Sequence, residues 1–111
     1  MIQSKPFLTS GETHWEDLGN GVHRKVLGHN KDIMMVKVKF DVGAVGAMHD
    51  HHHSQVTYVE SGVFEMTIGP EKRTIYKGDG CYIAPNTRHG VVCLEAGILI
   101  DVFSPGREDF L

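Results

Sequence analysis

The chain has 111 residues, a formal net charge of −3, 41% hydrophobic and 23% charged residues. With no basic stripe, nucleic acid is excluded as an expected partner, and the balance is that of a folded globule rather than a disordered chain. No apolar run approaches the ~20 residues a membrane-crossing helix needs. The opening Met1-Ile2-Gln3-Ser4-Lys5-Pro6 lacks the basic start and apolar core of a signal peptide, so the expected location is the cytoplasm.

The length suits one domain. Residues 1–21 are polar and weakly patterned, and the turn Gly19-Asn20-Gly21 closes them. They are expected as an N-terminal extension, with Trp15 packed on the outside of the core. Residues 22–111 are expected as a β-domain. Strands are predicted at 22–27 and 33–40; the second alternates Val36, Val38 and Phe40 inward against Lys37 and Lys39 outward. Residues 56–59 continue as strand, and Glu60-Ser61-Gly62 reads as a turn. Residues 63–68 and 74–77 form a hairpin across a loop with Gly69 and Pro70. Lys77-Gly78-Asp79-Gly80 turns into a strand at 81–83, and the loop Ala84-Pro85-Asn86-Thr87-Arg88 delivers His89. Two last strands, 91–94 and 98–103, are split by Glu95-Ala96-Gly97. No capped helical stripe is present. The expected class is all-β, an antiparallel sandwich or a jelly-roll-like barrel with a ligand in its mouth. Cys81 and Cys93 are expected to be unpaired packing residues.

The chemistry concentrates between residues 49 and 55, where His49-Asp50-His51-His52-His53-Ser54-Gln55 holds four of the eight histidines. In an extended strand His49, His51, His53 and Gln55 share one face. Imidazoles converging on one side of a strand point to a bound metal.

Gly43, five residues, His49-Asp50-His51, three residues, Gln55, six residues and Gly62 resemble the first motif of the cupin family, where Glu is usual in fourth place. Gly78-Asp79, then Cys81-Tyr82-Ile83, Ala84-Pro85-Asn86 and His89 resemble its second. The match runs over residues 33–103. Gln55 in place of Glu, Ala84 at the usual proline and Cys93 at a common Asn depart from the pattern. The resemblance implies a single-domain cupin barrel with a divalent ion (Zn, Ni, Fe or Mn) on His49, His51, Gln55 and His89. Three imidazoles and an amide are neutral, so the ion keeps its full charge as a Lewis acid. His53 shares their face by parity and reads as orienting a ligand or facing substrate.

The ending Asp101-Val102-Phe103-Ser104-Pro105-Gly106-Arg107-Glu108-Asp109-Phe110 resembles, more narrowly, the pectin-degradation cupins of the KdgF family. That resemblance implies ring opening and ketonisation of 4,5-unsaturated uronates, small sugar acids released from pectin or alginate. Asp101 interrupts an apolar strand, where a carboxylate is costly unless paired or facing a cavity, so it is expected to carry protons. Arg107 is expected either as a two-pronged clamp on the substrate carboxylate or as a solvated tail charge. Phe103 is expected as a wall under the sugar ring or as core. The competing readings are another metal-dependent cupin enzyme, a dioxygenase or sugar isomerase, and a non-catalytic ligand-binding cupin. Fold analogy implies a homodimer paired through edge strands.

Overall fold

The computed structural model describes residues 3–111. Eight strands follow in order: β1 Glu16–Gly19, β2 Val22–His29, β3 Met34–Phe40, β4 Val45–His49, β5 Ser54–Ile68, β6 Glu71–Tyr76, β7 Gly80–Ile83 and β8 His89–Ser104, with a 3-10 turn at Glu108–Phe110. All pairings are antiparallel. Among the described residues the hydrogen-bonded path runs open, β1-β2-β3-β8-β5-β6, with β4 on β8 and β7 on β5. This is the expected jelly-roll architecture, wrapped around its core without closing into a ring. Among the described residues no helix is long and apolar enough to cross a membrane.

Alternation sets the inner face. In β3, Met34, Val36 and Phe40 are buried while Met35 is exposed. Phe40 meets Phe64 of β5 edge-on at 5.4 Å, and Val59, Met66, Cys93 and Leu99 pack around them. A second cluster, Met34, Val36 and Phe103, fills the other end. Cys93 is buried, Cys81 is half-buried, and both are unpaired.

Three local expectations change. Glu60-Ser61-Gly62 and Glu95-Ala96-Gly97 are not chain reversals; they lie inside β5 and β8, which pair from Ser54↔Ser104 through to Ile68↔His89 with irregular register near Val59–Phe64. Gly62 has φ +83°, and a Cβ on it would come 2.6 Å from the Glu95 carbonyl oxygen. The two glycine-bearing segments nest, so both strands bend together and keep pairing, as bulges allow. The sheet also begins earlier than Val22. Asn20 and Gly21 both have positive φ in the two-residue turn that joins β1 to β2. Trp15 lies outside the core, as expected, with Lys25 and Lys39 ammonium groups 4.8 and 4.6 Å from its ring centre.

Candidate metal centre

Strand pairing brings the histidines together. His49 ends β4 and sits opposite His89, which begins β8. Their rings are 4.3 Å apart, and the His51 ring is 4.8 Å from that of His89. One ligand atom from each of His49, His51 and His89 lies within 4.8 Å of the others. Exposure falls through the set, from exposed His49 to half-buried His51 to His89 at 4%.

Each ring is oriented the same way. Nδ1 of His49 lies 2.7 Å from the Ala47 carbonyl oxygen, Nδ1 of His51 3.0 Å from that of His53, and Nδ1 of His89 2.8 Å from that of Thr87. A carbonyl only accepts, so each Nδ1 carries the hydrogen and each Nε2 is left with a bare lone pair. Burial pushes His51 and His89 below the ordinary imidazole value, which favours the neutral ring a metal requires.

Two observations test whether the donors suit a cation. His89 Nε2 is buried and has no hydrogen-bond partner. Gln55, 7% exposed, turns its Oε1 to within 3.0 Å of His51 Nε2. Two lone pairs then face each other with no hydrogen between them, an arrangement that a shared cation satisfies. The residues fit a divalent ion.

The other expected site residues divide. Asp101, His49, Gln55, His89 and Phe103 line one cavity of about 110 Å³. Burial pushes the Asp101 carboxyl up to about 6, against the opposing pull of hydrogen bonds from Thr57 and Gln55 and of the Arg107 charge. Phe103, 3% exposed, pairs with Gln55 across β5 and β8, and its ring stands 5.8 Å from that of His51. It therefore belongs both to the cavity wall and to the second core cluster.

Arg107 does not reach out as a free fork. Its Nε and Nη2 donate to the two oxygens of Asp109 at 3.0 and 2.8 Å. Its guanidinium lies over Phe110 at 4.2 Å and over Phe103 at 5.0 Å.

The parity argument for His53 does not hold, because residues 50–53 lie outside β4 and β5, with a bend at His52 and His53, instead of continuing one extended strand. His53 is buried behind His51, stacks on His52 at 3.9 Å and lines a separate cavity of about 510 Å³ with Lys31 and Asp109. It touches the centre through the carbonyl that accepts from His51 and through its ring, which stands edge-on to that of His51 at 5.3 Å.

Sequence reading missed Thr57. Its hydroxyl accepts from the Gln55 amide at 3.0 Å and donates to Asp101 at 2.6 Å. The available sign was parity: two residues beyond Gln55, a threonine sits in an inward row otherwise completed by Val59.

A jelly roll with three imidazoles converging at one mouth defines a metal-binding barrel, and the cupin domain model matches residues 36–103. The chain belongs to the cupin family and, within it, to the family of KdgF. It is 48% identical over 107 residues to the pectin degradation protein KdgF of Dickeya dadantii, covering 95% of this chain and 97% of that one. Among solved structures it matches KdgF from Halomonas sp. at 43% identity and TM-score 0.92, covering 97% of this chain and 100% of that one. It also matches an RmlC-like cupin from Shewanella frigidimarina at 45% identity and TM-score 0.97, covering 100% of both chains.

Proposed function

We propose that this chain is a metal-dependent enzyme that opens and ketonises 4,5-unsaturated uronates from pectin or alginate breakdown. The observation that carries the reading is Asp101, a cavity carboxyl held at about 6 and joined by hydrogen bonds to Gln55 beside three oriented imidazoles. The kinship with pectin degradation proteins supports the substrate class.

His49, His51 and His89 through Nε2, and Gln55 through Oε1, would hold the ion, with Zn, Ni, Fe and Mn all suited to such donors. When bound, the ion supplies a Lewis acid for the negative charge that develops on the substrate oxygens. Asp101 removes the proton of the anomeric hydroxyl as the ring opens. It returns a proton to carbon as the enol becomes a ketone, the two-way role that a carboxyl titrating near neutrality can fill. Phe103 walls the sugar and excludes water. Arg107 provides the counter-charge for the substrate carboxylate, with Asp109 holding its fork until the two carboxylates exchange. His53 serves through its carbonyl, by fixing the His51 ring.

The reading includes a cytoplasmic homodimer. Met35, Val102, Val56 and Tyr82 lie in register across four strands, and three of them are 41–61% exposed, offering an apolar face to a second copy. Sedimentation at micromolar concentration tests this, and a monomer contradicts it.

The test of function is the conjugated-enol absorbance of a 4,5-unsaturated uronate. Metal-loaded protein is expected to speed its loss, and Asp101→Ala to abolish that effect at unchanged metal content. A decay rate unaffected by loaded protein overturns the reading.

A further inference from the structure

Gln55, Thr57 and Asp101 form a hydrogen-bonded chain across β5 and β8. Thr57 is 3% exposed and faces Asp101 directly across the strand pair. A hydroxyl has one hydrogen to give. At 2.6 Å that hydrogen goes to Asp101 Oδ1, because a carboxylate only accepts. The hydroxyl oxygen is then free to accept, and the partner it faces at 3.0 Å is the Gln55 carboxamide. The chain runs one way, from amide to hydroxyl to carboxylate. It fixes which end of the Gln55 side chain faces the imidazoles: nitrogen toward Thr57, oxygen toward His51 Nε2 at 3.0 Å.

We propose that Thr57 is a positioning residue whose hydroxyl orients the Gln55 carboxamide oxygen toward the imidazole cluster, and that this one-way chain is why position 55 carries an amide where a carboxylate is usual. A carboxylate there presents acceptors only. The single Thr57 hydrogen cannot serve two carboxylates, and two like charges would then flank one buried hydroxyl. Removing the hydroxyl has the opposite failing. The amide loses its 3.0 Å anchor and keeps only the pull of the Asp101 carboxylate on its NH2. It is then freer to turn over, and in the turned form its NH2 donates to the bare His51 Nε2 and covers the place a cation needs. The same hydroxyl pins one Asp101 oxygen on a carboxyl that lines the cavity. The metal and catalytic consequences rest on the proposed function; the direction of the chain does not.

The test compares Thr57→Val, which keeps the β-branched shape, with Thr57→Ser, which keeps the hydroxyl. In metal-free, 15N-labelled protein the Gln55 side-chain NH2 is expected to exchange slowly with solvent. That protection should persist in Thr57→Ser and be lost in Thr57→Val. By chelator competition, Thr57→Val is expected to weaken Co(II) binding ten- to a hundredfold, the usual range for losing an orienting partner, with Thr57→Ser within about threefold of wild type on the same scale. The Co(II) absorption spectrum should change in Thr57→Val alone, which a loss of packing would not produce.

Wild-type affinity and spectrum in Thr57→Val overturn the proposal, as does Thr57→Ser failing alongside Thr57→Val. Should Thr57→Val not fold, metal-free Gln55→Glu decides. It is expected to unfold several degrees below wild type at neutral pH, and equal stability overturns the proposal. A protein with these amide and Co(II) results but no uronate activity would refute the function and leave the chain standing.

Discussion

Asp101→Asn is expected to make the metal-free protein more stable while removing its activity. Burial raises the Asp101 carboxyl from 3.8 to about 6. The folded state therefore holds this proton more tightly than the unfolded chain does. Stability falls as pH rises from about 4 to about 6, because ionisation must then occur inside the cavity. The raised value corresponds to about 3 kcal/mol above pH 6, at roughly 1.4 kcal/mol per pH unit. Asparagine has the same shape, and its Oδ1 can still accept from Thr57 Oγ, so little else is lost. Protonation of the histidines is common to both proteins and cancels in the difference. Urea unfolding of chelator-treated protein between pH 4 and 8 measures it. Asp101→Asn minus wild type should be near zero at pH 4 and rise toward about 3 kcal/mol by pH 7. A difference that stays flat with pH, or favours wild type at pH 7, refutes the account of Asp101 as a carboxylate destabilised for use.

Adding a divalent ion at 100 times its Kd is expected to stabilise the protein by about 2.7 kcal/mol. His89→Ala should abolish that response in thermal unfolding, and a response that survives counts against the cluster. Burial holds His51 and His89 below the ordinary 6.5. Metal affinity should therefore fall as acidic buffer protonates the rings, with the loss due to His51 and His89 coming at lower pH than an ordinary imidazole would give, as titration calorimetry would show. Arg107→Lys gives up the two-pronged hydrogen bond and is expected to raise KM about tenfold with a smaller change in kcat; Asp109→Asn, which frees the fork, should lower KM. Steady-state kinetics with both KM values unchanged contradicts the exchange of carboxylates. Gly62→Ala would press a methyl group against the Glu95 carbonyl at positive φ, and is expected to cost roughly 3 kcal/mol or more in urea unfolding.

The centre was legible because its signs are local. His49 and His51 stand two apart, the turn and proline loop before His89 are written in Gly78-Asp79 and Pro85, and strand pairing sets His89 opposite His49. What failed was periodicity carried where no strand exists. The chain bends at His52 and His53, so His53 left the face that parity gave it. Gly62 reads as a turn and Gly97 as a break between strands because glycine permits a turn, a break and a bulge alike, and only the partner strand decides among them. The Arg107 fork to Asp109 spans two residues of an irregular tail, where no repeat predicts direction. Thr57 was hidden because threonine is ordinary in a strand. Its importance comes from Asp101, which lies 44 positions away in the chain.

X-ray absorption at the metal edge of the loaded protein is the most direct measurement of the central claim. Three imidazole nitrogens and at least one oxygen at about 2.1 Å are expected, with one imidazole lost in His89→Ala. Fewer than three imidazoles in the wild-type protein, or a spectrum that His89→Ala leaves unchanged, would contradict it.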